Sequence, residues 1–396
     1  MTTLIARTTF KDIVADTYRQ EGERFEVEDK ARAEALTRGY LAWTEEQFTH
    51  AWGDAPDRQL SPLGWSRYAS AVPAKGERWL QALQLTYYDP GSSVYRYHSA
   101  LNTVPGLISA FGRFQHANPC CDLRQIDAES QPQTLDYAFK TADVIHVHMD
   151  YRTLYHGLGR LPEKRQLLVR HYHGSRFPGD PGGSTFVDDA QDEKHEALRV
   201  GARLYFKRYN DNIHWLPIPM PVLDYAKLAH DNFTFSGDRP LRIAHSPTVR
   251  ALKGTEQLID AVKQLRAKGL MLELVLIEGK THDEALKLKA TCDATFDSFW
   301  LGLQGSGLEA ASMGQLVIAG DPSARNEYVK HLGECPYTYA PEKKDLIEAL
   351  ERAATDRDWR FAEANRVHAY VRKHHDYPAV AERYLEIVKP AWEARQ

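Results

Sequence analysis

The sequence predicts an α/β protein built from two Rossmann-like halves. From about residue 78, short apolar runs typical of buried strands alternate with segments whose apolar residues recur at helical spacing. The alternation stops at the proline-rich run at residues 217–221 and begins again at residue 241. Alternation of this kind predicts a mostly parallel sheet with helices on both faces in each half.

The 396 residues are enough for two or three domains at roughly 100–200 residues each. We predict a small α+β module and connector at 1–75 and an N-terminal Rossmann-like domain at 76–220. A C-terminal Rossmann-like domain follows at 221–378. The last segment, 379–396, is predicted to be a helix that crosses back to the first Rossmann-like domain.

The individual elements follow from the same periodicities. In the first half, strands are predicted at 81–89, 106–114, 142–150, 165–175 and 213–220, and helices at 94–104, 133–141 and 188–198. In the second half, strands are predicted at 241–247, 271–279, 294–300 and 315–321, and helices at 255–269, 283–292, 307–314, 343–356, 359–375 and 379–394. In the N-terminal module, strands are predicted within 3–13 and 19–29 and an alanine-rich helix at 30–43.

Composition narrows the class of protein. A formal net charge of −4 gives no general basic field that would draw the chain onto nucleic acid or an anionic membrane. No apolar run approaches the ~20 residues of a membrane span, and the N-terminus lacks the apolar core of a signal peptide. The cysteines have no CxxC spacing and are interpreted as reduced. We therefore expect a cytoplasmic protein, with oligomerisation through the N-terminal module left open.

The first motif with chemical meaning is Lys253-Gly254-Thr255, directly before a predicted helix. The free N–H groups and partial positive charge of a helix N-terminus suit a phosphate. Arg250 and Lys253 add two full charges, as a diphosphate requires. The alternative is that both cations are solvated loop residues and Thr255 is a helix cap.

The second motif lies about 50 residues later. Gly305, Ser306 and Gly307 precede a predicted helix that contains Glu309. Glycine lets a ligand approach the backbone closely, and a carboxylate accepts hydrogen bonds from ribose hydroxyls. The alternative is a glutamate that only stabilises the positive end of a helix.

Together, HSPTVRALKGTEQLIDAVKQL and GLEAASMGQLVIAGD resemble the GT-B-fold retaining glycosyltransferases, the superfamily related to glycogen and sucrose-phosphate synthases. The resemblance implies two Rossmann-like domains that face a cleft, with the donor bound by the second. It further implies that Lys253 and Arg250 neutralise the donor diphosphate and that Glu309 holds the ribose. Ser306 and Gly307 would contact the phosphate or sugar.

The sequence departs from the family pattern at Leu301. The family has a first glutamate eight residues before the one that matches Glu309, and here that position is leucine. Recognition of the donor sugar by this residue is therefore missing or rebuilt. The arginine is also closer to the lysine than in the commonest family pattern.

The first half resembles the family more loosely, through DPGSSVYR, ADVIHVHMDY and VRHYHGS. The resemblance places Gly91 in a turn that faces the donor phosphates. His148 and His173 follow strand ends, where they are predicted to bind the donor sugar or acceptor, with His148 as a catalytic candidate. Asp150 and Arg96 are predicted to bind the acceptor.

Two HxH pairs, His146 with His148 and His171 with His173, have the spacing of a metal half-site, because alternate residues of a strand share a face. No carboxylate or cysteine spacing completes such a site. We therefore predict no metal and expect at least one histidine of each pair to be structural.

The predicted reaction transfers a hexose or pentose from a UDP- or GDP-sugar to an acceptor hydroxyl. The resemblance implies retention and no metal or further cofactor. The acceptor is left open among a glycan, a lipid, a protein and a modified DNA base. The alternatives are a catalytically degenerate nucleotide- or sugar-binding module and a nucleotide-sugar epimerase, which would act without an acceptor.

Overall fold

The computed structural model forms two compact units, the five-strand unit (Met1–Arg67 and Pro221–Lys373) and the seven-strand unit (Tyr68–Met220 and His374–Gln396). The residues that it describes are 2–6, 10–12, 17–19, 24–29, 33, 42–44, 78–86, 93–113, 125–127, 132–148, 151, 154–155, 159–173, 189–208, 210–232 and 239–396.

The strands, in chain order, are β1 (Thr2–Ala6), β2 (Phe10–Asp12), β3 (Thr17–Arg19), β4 (Arg24–Val27), β5 (Ala42–Thr44), β6 (Leu80–Thr86), β7 (Leu107–Arg113), β8 (Gln125–Asp127), β9 (Val144–His148), β10 (Leu167–Tyr172), β11 (Leu198–Gly201), β12 (His214–Trp215), β13 (Leu241–His245), β14 (Leu272–Leu276), β15 (Ala294–Phe296), β16 (Leu316–Ala319) and β17 (Thr338–Tyr339). The helices are α1 (Ser93–Leu101), α2 (Pro132–Thr141), α3 (Asp189–Lys194), α4 (Val222–Asn232), α5 (Arg250–Lys253), α6 (Thr255–Ala267), α7 (His282–Ala290), α8 (Gly305–Ser312), α9 (Pro322–Leu332), α10 (Lys343–Thr355), α11 (Arg357–His374) and α12 (Tyr377–Glu393), with a 3-10 turn at Leu204–Arg208.

The seven-strand unit has a parallel sheet in the order β12-β11-β10-β9-β6-β7-β8. Every residue of β9 and β10 is buried, as expected for a parallel sheet covered on both faces. Tyr97 of α1 and Tyr384 of α12 pack against one face. Leu135 and Phe139 of α2 pack against the other.

The five-strand unit has a second parallel sheet in the order β14-β13-β15-β16-β17. Helix α6 packs against it with a stripe at helical spacing, formed by Leu258, Ala261, Val262 and Leu265. The predicted α/β alternation is thus confirmed in both units. Helix α9 and strand β17 were not predicted, because α9 buries few apolar side chains and β17 is very short.

The N-terminal segment forms an antiparallel sheet in the order β4-β1-β5 and the separate pair β2-β3. The helix predicted for residues 30–43 is wrong at its end, because Ala42–Thr44 is strand β5 and Trp43 pairs with Ile5. Pairing with β1 supplies backbone partners that local helix propensity cannot anticipate.

No helix in the described part of the chain has both the length and the apolar character needed to cross a membrane. Two of the cysteines, Cys292 and Cys335, lie among the described residues and both are free thiols. Burial raises the pKa of Cys292 to about 11, so this thiol stays protonated near neutral pH.

Candidate functional site

The candidate site lies at the carboxyl edge of the five-strand sheet, where ligands bind in open α/β folds. His245 ends β13 and is fully buried. Its Nδ1–H donates to the carbonyl of Phe296, the last residue of β15, at 2.9 Å, and the Thr255 hydroxyl donates to its Nε2 at 2.8 Å. Burial lowers the pKa of His245, so the neutral ring ties two strand ends to the start of α6.

Lys253 ends the single-turn helix α5 and is almost completely buried. Gly254 follows with a φ of 73°, which favours glycine, and a Cβ there would lie 2.4 Å from the Phe299 ring. This close turn directs Lys253 inward, where its Nζ donates to Asp297 Oδ1 at 2.8 Å. The lysine of the predicted motif is therefore held by a buried carboxylate.

Asp297 follows β15 directly and joins Lys253 to the start of α8. Its Oδ2 accepts from the backbone N–H of Gln304 at 2.6 Å and of Gly307 at 3.1 Å. A Cβ at Gly307 would lie 2.4 Å from Asp297 Oδ2, so only glycine fits there without displacement. Sequence reasoning missed Asp297, although an acidic residue directly after a buried strand was a usable signal.

Arg250 lies on the same short helix but is turned toward solvent, with 41% of its side chain exposed. Its guanidinium donates to Glu256 and Glu278 at 2.7–3.1 Å. The hydrogen bond to Glu256 is the main reason why the pKa of Arg250 is raised. The joint action of Arg250 and Lys253 on a diphosphate stays a prediction.

Glu309 is buried in the first turns of α8, and both of its carboxylate oxygens have partners. Lys289 Nζ donates to Oε2 at 2.7 Å and His282 Nε2–H donates to Oε1 at 2.9 Å. Lys289 also donates to the Ser306 hydroxyl at 2.9 Å. The structure thus brings Glu309 and Ser306 together through Lys289, a residue that sequence reasoning missed. Its position two residues after the exposed Lys287 on the polar helix α7 gave no signal.

Gly305 begins α8 in open surroundings, since a Cβ built there meets nothing within 4 Å. Gly305 and Ser306 are partly exposed, whereas Gly307 is buried against Asp297. The start of α8 therefore combines accessible backbone with the positive end of a helix. Contact of these residues with a donor stays a prediction.

The position of α8 depends on a buried histidine. His368 of α11 donates from Nδ1 to the carbonyl of Ala311 in α8 at 2.8 Å, and burial lowers the pKa of His368 to about 4. Because the unfolded chain takes up this proton near pH 6.5 and the folded chain does not, this group contributes stability above pH 6.5 that is lost as the pH falls toward 4.

Because of this histidine, we expect the free energy of unfolding to be about 2 kcal/mol lower at pH 5 than at pH 7. Below pH 6.5 the slope is about 1.4 kcal/mol per pH unit. Denaturant titrations of the wild type and of His368→Gln at both pH values measure it. The stability difference between the two proteins should narrow at pH 5. An equal difference at both pH values would contradict a neutral buried His368.

In the seven-strand unit, His148 and His173 are both buried. His148 Nε2–H donates to Gln84 Oε1 at 2.9 Å, and its Nδ1 lies 2.7 Å from His173 Nε2. Burial lowers the pKa of His148 well below 6.5 and that of His173 to about 3. With both ring nitrogens bonded, His148 presents no nitrogen to a substrate in this conformation, and its catalytic role stays a prediction.

Three further residues were predicted to contact the acceptor or the donor phosphates, and the structure describes one of them. Arg96 is buried on α1, and its Nη1 lies 3.3 Å from Met220 Sδ. Gly91 and Asp150 lie outside the described residues. The predicted roles of these three residues stay predictions.

The fold of this chain is similar to that of several solved glycosyltransferases. HepE of Anabaena, solved with UDP, is 14% identical with a TM-score of 0.53 over 79% of this chain and 100% of that chain. Sucrose-phosphate synthase of Thermosynechococcus elongatus is 14% identical, with a TM-score of 0.51 over 80% of this chain and 100% of that chain. The chain has the GT-B fold.

Other GT-B structures extend the comparison. The catalytic domain of starch synthase IV of Arabidopsis thaliana, bound to ADP and acarbose, is 12% identical with a TM-score of 0.51, over 80% of this chain and 100% of that chain. No family model matches the sequence, and no curated protein matches it. The GT-B likeness is therefore one of fold.

Proposed function

We propose that the chain is a glycosyltransferase that moves a sugar from a nucleoside diphosphate sugar to an acceptor hydroxyl. The observation that carries the proposal is the convergence of Lys253 Nζ and two backbone N–H groups of the α8 start on a single carboxylate, that of Asp297. Donors aimed at one anionic group at the carboxyl edge of a parallel sheet are the arrangement that a phosphate requires.

The hydrogen-bond donors around Asp297 are not all used by its carboxylate, so some remain for a ligand. An ammonium has three N–H donors, and Asp297 takes one from Lys253. The first N–H groups of a helix have no acceptor inside it, so Gly305 and Ser306 extend the set of donors. In this proposal Asp297 orients Lys253, and the diphosphate binds beside the carboxylate.

Glu309 would hold the ribose of the donor. Lys289 is buried and fixes one oxygen, whereas His282 is 55% exposed on its side chain and holds the other. Ribose hydroxyls can therefore replace His282 while Lys289 keeps the carboxylate in place. This arrangement supports a nucleotide donor better than a free sugar phosphate.

In the proposed reaction, the bond between the anomeric carbon and the phosphate oxygen breaks, and a bond from that carbon to the acceptor oxygen forms. The acceptor proton passes to the leaving diphosphate, so no separate base is needed, and the configuration is retained. Lys253, joined by Arg250 if its two carboxylates release it, would stabilise the leaving charge in place of a metal ion. Acceptor binding is proposed in the seven-strand unit, at Asp150 and Arg96.

The first test is thermal stabilisation by UDP, GDP, ADP, TDP and CDP, with UDP first because HepE was solved with it. A nucleotide at 100 times its Kd adds about 2.7 kcal/mol of stability. Sugars on the nucleotide that binds are then screened for transfer by mass spectrometry of the products. No stabilisation by any of the five would overturn the proposal.

A second candidate, a binding module without transferase activity, is favoured by two observations. Leu301 stands where the family has a glutamate, and the Asp297 carboxylate cancels the charge of Lys253. The same experiment separates the two. Stabilisation by a nucleotide without transfer or hydrolysis of any of its sugars would select the binding module.

A further inference from the structure

Four histidines lie on one face of the sheet in the seven-strand unit. Strands β9 and β10 are parallel neighbours, and His148 lies directly opposite His171. Since alternate residues of a strand share a face, His146 and His173 point the same way. All four side chains are buried, with exposures between 0% and 8%.

Their ring nitrogens are close together. His146 Nε2 lies 3.0 Å from His171 Nδ1, and one nitrogen each of His146, His148 and His171 can be chosen so that all three lie within 4.8 Å of one another. Two imidazole ligands of a tetrahedral zinc ion, each about 2.0–2.1 Å from the metal, are separated by about 3.3 Å. The His146–His171 pair is thus near this spacing, and the stacked rings would have to turn for all three nitrogens to converge on one ion.

Hydrogen bonding leaves part of this cluster unsatisfied. His146 Nδ1 and His171 Nε2 are buried without a hydrogen-bond partner, which is unfavourable for a polar atom. His148 differs, because Gln84 Oε1 accepts from its Nε2–H and its Nδ1 lies 2.7 Å from His173 Nε2, so a metal bound at Nδ1 would replace the contact with His173. An acceptor such as Gln84 Oε1 on the second ring nitrogen is characteristic of histidines that bind metals.

The walls of the cluster are aromatic. The Tyr97 ring meets His171 edge-on at 4.6 Å, and the Tyr384 ring stacks on His146 at 5.5 Å. These two tyrosines come from α1 and α12. An ion bound by the histidines would thus be shielded from water and would tie β9 to β10 beneath two helices.

We propose that His146, His148 and His171 form a binding site for one first-row transition metal ion, with Zn²⁺ the first to test. Imidazole-only ligation selects zinc, copper, iron or nickel over magnesium and calcium, which require oxygen ligands. The ion is placed at these three histidines because one ring nitrogen of each lies within 4.8 Å of the other two. The site is structural and uses none of the residues proposed to bind the donor.

The proposed site departs from the sequence-based prediction that no metal binds. Each HxH pair is only half a site, and no carboxylate or cysteine completes either pair. The sheet completes them by placing the second pair beside the first. In this proposal His148 binds a metal instead of contacting a substrate.

The test uses the full chain without an affinity tag, purified from zinc-supplemented medium. We expect one zinc ion per chain by elemental analysis, a lower melting temperature after chelation, and its recovery on adding Zn²⁺. Replacement by Co²⁺ should produce the visible absorption of a protein-bound cobalt ion. These wild-type measurements stand even if a variant fails to fold.

The variants His146→Gln and His171→Gln should each lose the metal and the response to Zn²⁺. The matched control is His375→Gln, because His375 is also buried in this unit but donates to the carbonyl of Ile218. A wild-type protein with no bound metal, no cobalt absorption and no response to Zn²⁺ would overturn the proposal. Retention of the metal by the double variant His146→Gln/His171→Gln would overturn it as well, because the ion would then lie elsewhere.

Discussion

Replacing Lys253 by alanine is expected to abolish stabilisation by the nucleoside diphosphate and to lower the rate of sugar transfer by at least about a hundredfold. The ammonium is buried and donates to Asp297, the carboxylate that also accepts from backbone N–H groups at the start of α8. Without it, the leaving diphosphate loses its principal counter-charge. Ligand-induced shifts in melting temperature and initial rates measure the two effects.

The substitution also affects the unliganded protein, since it leaves the Asp297 carboxylate buried without its cation. Loss of one partner from a buried ion pair costs about 3–5 kcal/mol, so each ligand shift must be measured against the variant's own unliganded melting temperature. Lys263→Ala is the matched control, because Lys263 lies on the exposed face of α6. A Lys253→Ala protein that keeps the full nucleotide-induced shift would refute the phosphate site.

Replacing Lys289 by methionine is expected to lower the free energy of unfolding by about 3–5 kcal/mol. Methionine keeps the length of the side chain but removes the charge that faces Glu309, and Lys289 is only 1% exposed. Glu309 would then lose the ammonium that fixes its Oε2, so its hydrogen bonding to the donor ribose should weaken as well. Chemical denaturation measures the first effect and nucleotide titration the second.

The chain offers a close control for this experiment. Lys287→Met changes a lysine on the same helix, but that side chain is 56% exposed and pairs only with Asp283 one turn earlier. We expect its stability to change by no more than about 0.5 kcal/mol. The double variant Lys289→Met/Glu309→Leu should recover much of the lost stability, since replacing a buried pair by apolar side chains is often neutral. Equal effects of Lys289→Met and Lys287→Met would show that the buried pair contributes nothing.

The sequence alone predicted most of the fold, because burial leaves a pattern in each segment. A strand that is covered on both faces has a mostly apolar sequence, such as VIHVH in β9. Helices covered on one face show a 3.6-residue period, such as the stripe of α6. The sequence pattern predicted a helix that includes Ala42 and Trp43, but these residues form a strand because they pair with β1.

For the site, the sequence located the groups whose chemistry is local. Lys253 with Gly254 before a helix, and Glu309 inside the next glycine-led helix, were recognisable because a tight turn and a helix start have sequence signatures. Their partners were not recognisable. Asp297 is 44 residues from Lys253, and Lys289 is 20 residues from Glu309.

Only the tertiary structure decided which of these groups meet. Asp297 reaches Lys253 because β15 is hydrogen-bonded to β13 in the five-strand sheet. Likewise, His146 and His171 are 25 residues apart and meet because β10 lies beside β9. The order of parallel strands is set by how helices of different length and shape cover both faces of a sheet, and no single segment contains that information. The sequence therefore determined where turns and helix starts place Lys253 and Glu309, and the strand order determined which side chains they meet.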